Sequence, residues 1–96
     1  MLNVRLSSRA IDDLRSIGRY TQENWGVKQR NKYLAMLDTC FQTISMQPEI
    51  GIACDYIRPG YRKHHAGRHL IFYRQEADSI DIIRILHDSM DVERHL

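Results

Sequence analysis

Apolar residues recur at helical spacing from Ala10 to Ile44 and at strand spacing beyond Pro48, and this single change of period leaves few folds open. Ala10, Leu14, Ile17, Thr21 and Trp25 fall on one helical face. Ser7 and Ser8 offer hydroxyls to cap that helix, and Asp12 and Asp13 stand in its early turns, where the helix dipole favours negative charge. Gly26 suits a left-handed residue just beyond the helix end. From about Val27 a second stripe follows, made of Tyr33, Leu34, Leu37, Phe41 and Ile44, and Pro48 and Gly51 end it. Two helices joined by so short a turn form an antiparallel hairpin. Gly18, inside the first helix, either lets a neighbouring element approach or is a tolerated surface glycine.

The remaining segments have strand character. Leu2 to Leu6 alternates apolar and polar. After a loop from Gln47 to about Ile57, Pro59-Gly60 turns into a polar, basic strand from Tyr61 to Ala66, expected near an edge. Gly67 marks a turn, and His69 to Tyr73 is a nearly continuous apolar run, as in a central strand covered on both faces. A turn at Ala77-Asp78-Ser79 leads to a fourth strand from Ile80 to His87. Regular alternation puts Ile80, Ile82, Arg84 and Leu86 on one of its faces and Asp81, Ile83, Ile85 and His87 on the other. The fold class is therefore α+β: a strand, a helix hairpin, then a three-stranded antiparallel meander, with the helices on one sheet face. Residues 1–96 make one domain. Residues 88–96 read as a short polar tail that forms one helical turn and is removable without emptying the core.

Composition narrows the function. The content is that of an ordinary soluble domain, and no apolar run approaches the roughly 20 residues that span a bilayer. The start lacks a secretory signal, so a cytoplasmic location without membrane contact is expected. Cys40 and Cys54 read as small hydrophobes in or near the core. The net charge of +2 hides an asymmetry. Between Asp55 and Glu76 no acid occurs, while Arg58, Arg62, Lys63, Arg68 and Arg74 do, with His64, His65 and His69 among them. A positive face with an acidic partner is implied.

Three chemistries deserve weighing. A ribonuclease would need cations and a proton shuttle, which Lys63, Arg68, Arg84 and His87 could supply. The bland alternative is that these arginines meet a partner's acids and His87 bonds a neighbouring backbone group. A zinc site from His64, His65, His69 and His87 is disfavoured, because His64 and His65 point to opposite strand faces; no metal or cofactor is expected. DNA reading by the hairpin is also disfavoured. Its Arg9, Arg15, Arg19, Lys28, Arg30 and Lys32 interleave with acids, including Arg9–Asp13 and Arg19–Glu23 at i, i+4. Sequence-specific DNA binding by this chain alone is not expected.

Several segments, in order, match one family. They are Ala10-x-x-Asp13-Leu14-x-x-Ile17, Tyr20-Thr-x-x-x-Trp25-Gly26, Pro48-x-x-Gly51, His69-Leu-Ile-Phe-Tyr73 and Arg84-Ile-Leu-His-Asp-Ser-Met-Asp91. Together they cover nearly every element, and the chain resembles the ParE branch of the RelE/ParE toxins. That resemblance implies a type II toxin that inhibits DNA gyrase by binding and is neutralised by a ParD-like antitoxin. The RelE branch instead cleaves messenger RNA on the ribosome, with basic residues across the central strands and commonly a tyrosine or histidine beyond the last. Here Lys63, Arg68 and Arg84 stand in comparable places, but no tyrosine follows Tyr73, and the run holding His87 is usual in ParE-like chains. The resemblance thus favours an inhibitor without catalytic residues. Expected at the target are Arg58, Arg62, Lys63, Arg68, Arg84, His87 and Met90, and at the antitoxin Arg15, Arg19, Tyr33, Leu37 and Arg74.

Overall fold

Ser7 starts the first helix as its hydroxyl predicts. In the computed structural model, which describes residues 2–96, its backbone is extended and its Oγ accepts the Ala10 N–H at 3.0 Å. Helix α1 then runs Ser8–Trp25 and α2 runs Val27–Met46. Gly26 alone joins them at φ +92°, a conformation open to glycine and costly for any L side chain. The strands are β1 Asn3–Leu6, β2 Ile52–Ala53, β3 Tyr61–Ala66, β4 His69–Gln75 and β5 Ser79–His87, and a 3₁₀ turn Val92–Arg94 closes the chain.

The sheet order is β1-β5-β4-β3-β2, with β1 parallel to β5 and the other pairs antiparallel. The α+β class and the meander β3–β5 are as expected. The 47–57 loop, however, contains the two-residue strand β2, too short to carry a period. The helices cover one face, where Ala10, Ile17, Leu37, Phe41 and Ile44 pack on Ile71, Tyr73, Ile80, Ile82 and Ile85. Behind β4 lies a second cluster of Cys54, Phe72 and Leu86. Strand β4 is therefore covered on both sides, as its continuous apolar run requires. Gly18 is buried against α2: a Cβ there would stand 3.4 Å from Leu34 Cδ1, so the glycine marks the helix–helix contact.

Three expectations need correction. Alternation along β5 breaks, because Tyr73 pairs with Ile82 while Phe72 pairs with Arg84, leaving Ile83 as an extra, bulged residue. Ile80, Ile82 and Ile85 consequently face the helices, and Leu86 joins the cluster behind the sheet. The tail is not dispensable either. Val92 and Leu96 pack on the cluster of Cys54, Phe72 and Leu86, so removing residues 88–96 would bare buried rings and methyls. The helix-surface pairs Arg9–Asp13 and Arg19–Glu23 do not form among the described residues; Asp12 pairs with Arg15 instead, at 3.7 Å.

Tyr73 explains the Pro48-x-x-Gly51 segment. Its buried hydroxyl donates to the Pro48 carbonyl at 2.8 Å and accepts the Gly51 N–H at 2.8 Å, tying the chain after α2 to the central strand. Glycine is required at 51 because a Cβ would stand 2.5 Å from that hydroxyl and 2.9 Å from the Lys63 carbonyl oxygen. Tyr73→Phe would leave the buried Gly51 N–H and the Pro48 carbonyl unpaired. A loss of about 2–3 kcal/mol in unfolding free energy is expected from urea denaturation.

Candidate functional site

Strand β1 ends at Leu6, so the outer edge of β5 beyond Ile82 has no strand beside it. Helix α1 takes over. Ser7 Oγ donates to the Ile83 carbonyl at 2.7 Å, and Asp13 Oδ2 accepts the Ile85 N–H at 2.9 Å. The same carboxylate receives Arg84 in a two-pronged pair, Nε at 2.8 Å and Nη2 at 2.9 Å, while Arg84 Nη1 donates to the His95 carbonyl at 3.0 Å. The bond to Asp13 raises the already high pKa of Arg84. Both side chains are only about 15% exposed, 15% and 14%. Arg84, expected at a target, thus binds strand, helix and tail together, with three of its five N–H donors engaged internally.

The other candidates divide between two places. Lys63 faces the back of the sheet, where Lys63, Phe72 and Arg84 are aligned across three strands. With Tyr56, Ile57 and the tail residues Met90–Glu93 it lines a small pocket of about 240 Å³. Arg58 is exposed nearby, but Arg62 is engaged, donating to the Gly51 carbonyl at 2.8 Å. Arg68 and His87 lie elsewhere, at the end of the sheet beneath the helix hairpin. The four residues of the ribonuclease reading therefore do not converge. No group of three metal-ligating side chains gathers among the described residues.

That second place is the larger feature, a groove of about 910 Å³. Ile17, Tyr20, Thr21 and Trp25 of α1 form one wall and Tyr33 of α2 another; Arg68, His69, His87, Ser89 and Met90 complete it. Trp25 was expected in the buried helical stripe, yet it is 65% exposed and Tyr20 60%. Their rings stack edge to face with centroids 5.8 Å apart. The hairpin end projects past the sheet, so no strand lies under these aromatics. Neither Tyr20, Trp25 nor Ile17 was among the expected binding residues. The available signal was two aromatics beside the glycine turn, at spacings that do not both fit one buried stripe.

Of the residues expected at the antitoxin, only Tyr33 lines the groove. Its hydroxyl accepts the Arg68 N–H at 3.0 Å and lies 2.6 Å from His69 Nδ1. Leu37 is fully buried in the core beneath α2, which removes it from any surface. Arg15 and Arg19 are exposed on α1, and Arg74 sits at the far end of β4, paired with Glu76 at 2.7 Å.

Two histidines, His69 at the groove and His64 on β3, are held below the ordinary imidazole range. Burial, followed by the neighbouring His87, lowers the His69 pKa below its ordinary 6.5; Asp88 and Asp13 oppose weakly. Burial also lowers His64, with His65 adding to it. A depressed folded pKa means stability that is complete above the unfolded value and lost as pH falls through the folded one. Urea denaturation is expected to show lower stability at pH 5.5 than at 7.5, with a smaller difference in His69→Asn.

Comparison with known proteins agrees with this architecture. The family model described as "ParE toxin of type II toxin-antitoxin system, parDE" matches residues 4–92. A curated relative named Toxin ParE1 from Mycobacterium tuberculosis is 46% identical over 92 residues, covering 95% of this chain and 94% of the relative. Toxin ParE1 from Caulobacter vibrioides is 39% identical over 92 residues, covering 96% and 95%. A solved chain titled "Chromosomal ParDE TA system from P. aeruginosa" superposes with a TM-score of 0.78 at 18% identity, over 91% of this chain and 96% of that one, a likeness of fold. Among the described residues no helix is long and apolar enough to cross a membrane. The chain belongs to the ParE toxin family of type II toxin-antitoxin systems.

Proposed function

We propose that this chain inhibits DNA gyrase by binding it, and that a ParD-like antitoxin neutralises it by laying an amphipathic segment into the groove beside the helix hairpin. The observation that carries the antitoxin part is the groove itself, with the Tyr20–Trp25 pair left in water on its rim. Exposed aromatics around an apolar concavity are the usual anchors of a protein partner, and a helix laid in such a groove buries them. Gyrase as target rests on the family resemblance. The acid-free 56–75 stretch supports it physically, since exposed Arg58 and half-buried Lys63 lie outside the groove and can steer toward an acidic surface or gyrase-bound DNA.

A supercoiling assay tests the target. The purified chain should stall gyrase with its DNA cleaved, and stoichiometric antitoxin should restore supercoiling. Undiminished supercoiling at excess toxin, together with ribosome-dependent cleavage of messenger RNA, would move the chain to the RelE branch.

A further inference from the structure

We propose that the polar end of the groove is a carboxylate subsite, where the Nε2–H groups of His69 and His87, with Arg68 beside them, receive an acidic side chain of the docked partner. This rests on the groove being the antitoxin's seat. Tyr33 Oη accepts the Arg68 N–H at 3.0 Å, so its own O–H is free to donate to His69 Nδ1, 2.6 Å away. With that O–H turned to Nδ1, the neutral His69 ring carries its proton on Nε2. His87 is fixed independently: the Ser89 N–H donates to its Nδ1 at 3.1 Å, which leaves the proton on Nε2 there too. Internal groups thus use up both Nδ1 acceptors and turn both rings into outward donors.

The two rings stand edge to face, centroids 5.4 Å apart and planes at 82°. Neither Nε2 has a hydrogen-bond partner within 3.5 Å among the described residues, and neither is a sealed, unsatisfied atom, so both are open to the groove they line. The nearest acids do not answer them. Asp88 lies by the Nδ1 side of His87 at 3.4 Å and by His65 Nε2 at 3.5 Å, and Asp13 is held by Arg84. Tyr33 from α2 and Arg68 from the β3–β4 turn are the remaining titratable groups at the pair. One guanidinium and two ring N–H donors match a single negative charge. Ile17, Trp25 and Met90 line the rest, which suits an acidic residue flanked by apolar ones on a peptide rather than a polyanion.

Amide substitutions separate this role from a structural one. Asparagine places its amide near the position of Nδ1, and glutamine places its amide near Nε2. Binding of the ParD-like antitoxin, measured calorimetrically, should weaken roughly 10- to 100-fold in His69→Asn and His87→Asn, the worth of a charge-assisted hydrogen bond. His69→Gln and His87→Gln should stay within about threefold of the parent. Arg68→Gln, at an exposed side chain that makes no internal bond among the described residues, should weaken binding and flatten its salt dependence without touching the fold. The reverse order, with glutamine weak and asparagine normal, would overturn the subsite in favour of packing by Tyr33 and Ser89. Parental affinity in all five variants, with Trp25→Ala still impaired, would overturn the subsite and leave the groove reading standing. Parental affinity in Trp25→Ala as well would remove the groove reading itself.

Discussion

Asp13→Ala is expected to lower the unfolding free energy by about 3 kcal/mol or more, the cost of removing one partner from a mostly buried ion pair. The carboxylate accepts three hydrogen bonds, two from Arg84 and one from the Ile85 N–H. Deleting it leaves a mostly buried guanidinium with the His95 carbonyl as its remaining partner and an Ile85 N–H with no acceptor. Residual exposure of about 15% lets water compensate in part, which places the effect near the low end of the buried-pair range of about 3–5 kcal/mol. Because domains of this size have total stabilities of roughly 5–15 kcal/mol, the variant would be near its folding threshold. Adding Arg84→Met to Asp13→Ala should recover part of the loss, since it removes the stranded charge. Urea denaturation of the single and double variants measures both, and a loss below about 1 kcal/mol for Asp13→Ala would show that the pair is solvated.

That pair also shows why one motif misled. Asp13 and Arg84 both belong to the segments that carry the family resemblance, and 71 residues separate them. Nothing local in Arg84-Ile-Leu-His-Asp tells a target-binding arginine from one that fastens a strand edge. The difference is made by β1 stopping at Leu6, which leaves β5 uncovered. The bulge left only a faint mark in the sequence: in Ile-Asp-Ile-Ile-Arg-Ile the doubled Ile82-Ile83 shifts the alternation by one residue, and the pairing of Tyr73 with Ile82 shows that shift to be an extra residue. Helix boundaries were legible because their causes are local, in Ser7, Gly26 and Pro48. So was the central strand, whose apolar run has no other use. The groove was not, since its walls come from residues 17–33, 68–69 and 87–90, which only the fold brings together. Leu37 failed as a surface residue for a related reason: a helical stripe tells which residues share a face, not which end of the helix extends past the sheet.

Trp25 lies where that extension begins, and Trp25→Ala is expected to separate neutralisation from toxicity. The free chain leaves the indole 65% exposed, so truncation should change folding stability by no more than about 0.5 kcal/mol. In a complex the same ring is an anchor, and losing such an anchor costs at least about 2 kcal/mol, or roughly 30-fold in affinity. The cations Arg58 and Lys63, which lie outside the groove, are untouched by the change, so gyrase inhibition should persist. Cells expressing the variant together with the antitoxin should arrest, whereas cells expressing the parent chain with it should grow. Supercoiling assays should show full inhibition that parental amounts of antitoxin fail to relieve. Rescue of Trp25→Ala at parental antitoxin levels would mean that the partner seats elsewhere. Loss of inhibition without loss of fold would place the target in the groove, and antitoxin and gyrase would then compete for one surface.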